Sequence, residues 1–121
     1  MWLFTRYGFF SVSALDKNRL LIRARSKKHL ECLRKNFVLL KDLPIRTELH
    51  RDYVHRMVVP REAWSAVLIK MNAEQSWDNV KNECKRFQKD PLYEQSMHDV
   101  WQTMYMAGEE WDGRFVKGKE G

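Results

Sequence analysis

The spacing of the apolar residues changes near Pro60, and that change limits what the chain can fold into more than any other feature. Before Pro60, aromatic and β-branched residues cluster or alternate with polar ones, as strands require; after it, apolar residues return every three or four positions, as helices require. A run of strands followed by a run of helices points to an α+β domain, in which helices cover an antiparallel sheet.

Residues 3–14 read as one strand, with Gly8 as a bulge or bend. A turn at Asp16-Lys17-Asn18 leads into a second strand over 19–25, making a hairpin. In that strand Ile22 and Ala24 share one face while Arg23 and Arg25 share the other, because side chains alternate. One face is therefore apolar and the other basic. Ser26 is placed to cap a helix over 27–37, with Leu30, Leu33 and Phe37 at helical spacing. Residues 39–43 fit no single element. Residues 45–49 alternate as a half-buried strand and 52–59 read as another, so either the two form a second hairpin or one of them is irregular.

Beyond Pro60, Trp64, Val67, Leu68 and Met71 predict a helix over 61–73. Ser76 is a candidate cap for the next, which turns Trp77, Val80, Cys84 and Phe87 inward. Asp90-Pro91 pairs an N-cap residue with proline at the first helical position, opening a third helix that carries Tyr93, Met97, Val100, Trp101 and Met104. Gly108 is expected to stop it, with 109–121 as a flexible tail. The order is β-β-α-β-β-α-α-α: one domain over 1–108, with an antiparallel sheet of about four strands. A ferredoxin-like relative is one arrangement that fits.

At 121 residues the chain is long enough for its own core without a disulfide or metal. Cys32 and Cys84 lie within apolar stripes, are far apart, and are expected to be buried thiols. The first residues lack the pattern of a signal peptide and no stretch is long enough to span a membrane, so the expected compartment is the cytoplasm. Charge is unevenly distributed: residues 1–60 hold 13 Lys/Arg against 5 Asp/Glu, and residues 61–121 hold 9 against 11. A basic half suggests an anionic partner, either nucleic acid or an acidic protein surface.

Several strings resemble a family of small uncharacterised bacterial and phage proteins. They are Trp2-Leu3-Phe4-Thr5 with Gly8-Phe9-Phe10-Ser11-Val12, then Leu20-Leu21-Ile22-Arg23-Ala24-Arg25, and His98-Asp99-Val100-Trp101 near the end. The resemblance spans most of residues 2–104, departs at Met97 and Val80, and implies a shared compact domain with no known activity.

Catalytic signals are sparse. There is no phosphate-cradling glycine loop and no nucleophile elbow. His50, Asp52 and His55 match no metal-ligand spacing, although two histidines on neighbouring strands would suit a small phosphodiester hydrolase. His98 is expected to be a buried, satisfied histidine. No catalytic residue and no cofactor is implied.

The stronger constellation is basic and aromatic: Arg23, Arg25, Arg46 and Arg56 on adjoining strands, with Phe9 and Tyr53 among them. Guanidinium groups track phosphates and rings stack on bases. The expected function is thus a non-catalytic binding module of phage or mobile-element type, docking on nucleic acid or on a protein that handles it. The alternative is an anti-defence inhibitor that binds a host effector. The surplus of aromatic and Met residues on the last helix also suggests a homodimer surface.

Overall fold

The computed structural model describes residues 1–113. The class is α+β as expected, but the sheet has five strands. The expected strand over 3–14 is two, β1 (Trp2–Thr5) and β2 (Gly8–Ala14), joined by Arg6-Tyr7. The Thr5 hydroxyl closes this turn by accepting from the Tyr7 N–H at 3.1 Å and donating to the Gly8 carbonyl at 2.9 Å. Gly8 has φ +138°, so it is the residue that lets the hairpin turn back, not a bulge within one strand.

β3 (Arg19–Ala24) and β5 (His55–Pro60) form the centre of the sheet with β2, and the short β4 (Arg46–Thr47) lies at the edge. The order is β1-β2-β3-β5-β4, and each adjacent pair is antiparallel. The strands expected over 45–49 and 52–59 are shorter in the structure. Turns and bends occupy 49–53, and this places Tyr53 in the connection rather than in a strand. Between β3 and β4 run α1 (Lys27–Asn36) and a single 3₁₀ turn (Val38–Leu40), and α2 (Arg61–Glu74) follows β5. Within the sheet, β5 lies between β3 and β4, and helices follow β3 and β5.

Side-chain parity divides the sheet. Phe10, Val12, Ile22, Ala24, Met57 and Val59 face α1 and α2, where Leu30, Leu33, Trp64 and Val67 complete the core. Two further helices, α3 (Val80–Gln88) and α4 (Pro91–Trp111), pack on each other, and around Cys84, Tyr93 and Met97 they meet Phe4 and Phe9. Asn79, not Ser76, caps α3, its side chain accepting from the Asn82 N–H; Trp77 is left before the helix and Val80 is exposed. Asp90 caps α4 as expected, accepting from the Leu92 N–H at 3.0 Å. α4 runs through Gly108 to Trp111, and Gly113, at φ +74°, follows its end. Residues 109–111 are therefore helical, and the rest of the expected tail, 114–121, lies outside the described residues. Cys32 and Cys84 are free; burial pushes the Cys84 thiol up to about 11.

His29 on α1 fixes the hairpin to the helix layer. Its Nδ1 accepts the Phe9 N–H at 3.2 Å, and its ring lies 5.0 Å from Tyr93. An imidazole that accepts at Nδ1 is neutral. Burial accordingly holds its pKa below the ordinary 6.5. The unfolded chain therefore takes up this proton first, so the stability His29 contributes is complete above about pH 6.5 and lost as pH falls below it. The expected result is a melting temperature that declines from pH 7 to pH 5, with part of that slope absent in His29→Leu.

Candidate anion-binding sheet face

The sheet face opposite the core is organised by its register. Trp2 pairs with Ser11, Ser11 with Arg23, Arg23 with Arg56, and Arg56 with Arg46, so these five side chains form one row across all five strands. Three of the four predicted arginines stand in that row, and Arg25 lies two residues along β3's path from Arg23, on the same side. The alternation that makes Ile22 and Ala24 core residues is what turns Arg23 and Arg25 outward.

Tyr53 is the support under this row. Its ring is buried, with the Arg23 guanidinium carbon 4.8 Å and the Arg25 guanidinium carbon 4.3 Å from the ring centre. Phe9 stands 6.3 Å away and is itself stacked on Phe4 at 4.5 Å and met edge-on by Trp2 at 5.9 Å. Tyr53 and Phe9 thus hold the guanidinium groups in place by cation–π and packing contacts, and do not offer open faces. The ring that is open is Trp2, 67% exposed at the sheet edge.

The arginines differ in their partners. Arg25 pairs with Asp52 at 3.1 Å, which raises its pKa further. Glu48 serves three guanidinium groups: Arg51 at 3.1 Å, Arg46 at 3.6 Å and Arg56 at 4.0 Å. Arg23 has no carboxylate partner among the described residues; it donates to the Ser11 hydroxyl at 2.9 Å. The Nε atoms of both Arg23 and Arg56 are buried without a hydrogen-bond acceptor, and Arg56 is only 9% exposed. Five guanidinium groups against two carboxylates leave the face with three excess positive charges. Like charges directly opposite on neighbouring strands are unfavourable, and a buried unpaired donor costs about 1–3 kcal/mol. An anion on the solvent side of the row offsets the like-charge penalty, while the two buried Nε atoms lie out of its reach.

Beside Arg25 the face continues into a cleft of about 390 Å³, lined by Phe4, Phe9, His29, Tyr93 and Met97 among others. Ser11 and Trp2 are not identifiable from the sequence, because their place in the row depends on strand register. The predicted histidines do not join the site. His55 pairs across the sheet with Ala24 and Thr47, on the opposite face, and its Nδ1 lies 3.0 Å from the Thr47 hydroxyl. His50 is exposed in the turn before β5. His98 is exposed rather than buried, stacked on Trp101 at 5.8 Å. Among the described residues no group of three or more His, Cys, Asp or Glu is arranged to hold a metal ion, and no helix is long and apolar enough to cross a membrane. Compared with known proteins, the chain matches no family model, no curated protein and no solved structure.

Proposed function

We propose that this chain is a non-catalytic binding module whose open sheet face holds the phosphate backbone of a nucleic-acid strand. The observation that carries this reading is the opposed pair Arg23 and Arg56, two guanidinium groups placed side by side on the open face with no carboxylate on Arg23. Phosphate oxygens are the acceptors that guanidinium groups in a fixed array suit best. The exposed Trp2 at one end of the row offers a stacking surface for a base, and Arg46 at the other extends the charged track. An acidic protein surface is the competing ligand for the same charges.

Replacing both Arg23 and Arg25 with Gln tests the assignment. Binding of a labelled single-stranded RNA is expected to weaken at least tenfold and its salt dependence to become shallower, since two phosphate contacts are removed. Melting temperature should fall little, because Arg23 leaves only a hydroxyl and a ring contact, and Arg25 an exposed pairing with Asp52, worth little, and a contact with the same ring. Unchanged RNA affinity in the folded double variant contradicts the assignment.

A further inference from the structure

We propose that α4 pairs with α4 of a second copy of this chain, antiparallel, through the half of the helix that extends beyond α3. The stripe on α4 runs Tyr93, Met97, Trp101, Met104, Gly108, Trp111, at steps of four, four, three, four and three, which keeps all six on one side of a 3.6-residue helix. Its first two members are buried against α3 and the hairpin. The remainder of the same stripe is open among the described residues: Trp101 is 49% exposed, Met104 53% and Trp111 73%, and a Cβ added at Gly108 would meet no side chain within 4 Å. The change occurs beside the first turn of α3. Lys81, the second residue of α3, has its Nζ 4.6 Å from the Trp101 ring, so the last ten residues of α4 overhang by about 15 Å with a packing face that α3 does not cover.

Three features favour a second copy as the occupant. The overhang is self-complementary in an antiparallel pair centred on Met106: Trp101 meets Trp111 of the second copy, and Met104 meets Gly108, where the missing side chain allows close approach. Charge agrees as well. Residues 91–113 contain no Lys or Arg, and the end of α4 carries Glu109 and Glu110. In this pairing that acidic end meets the N-terminus of α3 and Lys81 of the other copy, so a positive helix end faces a negative one. Finally, the exposed parts of Trp101, Met104, Tyr105 and Trp111, at roughly 100 Å² apiece, bring about 800 Å² into contact across two copies before flanking residues are added, an area in the range of weak, transient contacts. A weak, concentration-dependent dimer is the expected form.

Sedimentation equilibrium on the intact protein, from low to high micromolar concentration, tests this. A reversible monomer–dimer equilibrium is expected, abolished by Trp111→Glu, a residue at the helix end that tolerates the change without unfolding. Lys81→Glu should weaken the dimer several-fold, and adding Glu109→Lys and Glu110→Lys should restore it. A monomer at every concentration overturns the proposal. So does a dimer that Trp111→Glu leaves intact, since another surface then makes the contact.

Discussion

Gly8→Ala is expected to destabilise the domain by about 3 kcal/mol, lowering its melting temperature by on the order of 15 °C. Two independent costs converge on this position. Its φ of +138° is one that residues with a side chain rarely adopt, and an added Cβ would lie 2.3 Å from His29 Cγ and 2.5 Å from His29 Cβ. The imidazole is unable to yield cheaply, because it accepts the Phe9 N–H and packs on Tyr93. The strand and helix must separate, or the hairpin must reopen. Gly108→Ala is the contrast: that glycine is helical with open space around it, so the same change there should stabilise by about 0.5–1 kcal/mol. Thermal melts of the two variants check both signs.

Arg6→Met is expected to cost about 3 kcal/mol, the scale for breaking a largely buried ion pair by removing one partner. Arg6 occupies the turn between β1 and β2 and connects three elements. It contacts Glu83 on α3 at 2.7 Å and Glu74 at the end of α2 at 3.1 Å, with the Tyr7 hydroxyl at 3.2 Å. Its guanidinium also lies 4.8 Å from the ring centres of Trp77 and Phe87. Tyr7 in turn donates a hydrogen bond to Glu74, and burial followed by that carboxylate pushes its pKa up to about 12. Met preserves much of the packing, so the loss reports the charge and its hydrogen bonds. Glu83 keeps Arg86 at 2.6 Å, which prevents a fully unpaired buried carboxylate. Equilibrium unfolding gives the size of the effect. Amide exchange gives its location: α3 and α4 should open before the sheet, because Arg6 is their charged tie to the hairpin. Uniform loss of protection across the molecule contradicts that role.

The parts of this structure that were legible from sequence depend on local spacing. Alternation along β3 assigned Ile22 and Ala24 to the core and Arg23 and Arg25 to the open face. Asp90-Pro91 marked the start of α4, because cap and proline act within one turn. What was missed depends on choices between competing local signals. The turn at Arg6-Tyr7 lacks an Asn-Gly or Asp-Gly pair and relies on the Thr5 hydroxyl instead, so the residue pattern runs through it as one strand. Ser76 and Asn79 are both capping residues, and only the structure shows the Asn79 side chain bonded to the Asn82 N–H. Gly108 looked like a helix stop, whereas the glycine with left-handed backbone is Gly113.

The candidate site divides along the same line. Four arginines, Phe9 and Tyr53 were identifiable from parity and strand adjacency, and the structure gathers them on or beneath one face. Their roles required register. Only pairing across strands places Arg23 opposite Arg56, assigns three guanidinium groups to Glu48, and shows Tyr53 under the charges instead of open to solvent. The histidines show the limit from the other side. His50 and His55 are close in sequence, yet the strand that carries His55 turns it to the helix-covered face.

The central claim is that the open sheet face binds a phosphate backbone, and fluorescence anisotropy of a labelled single-stranded RNA across a salt series tests it most directly. Three excess charges predict that log affinity falls linearly with log salt at a slope of about −2, by the rule of roughly 0.7 per phosphate for single strands. The slope should shrink in the Arg23→Gln, Arg25→Gln double variant. No binding at low salt, or binding indifferent to salt and to those two substitutions, would contradict the account.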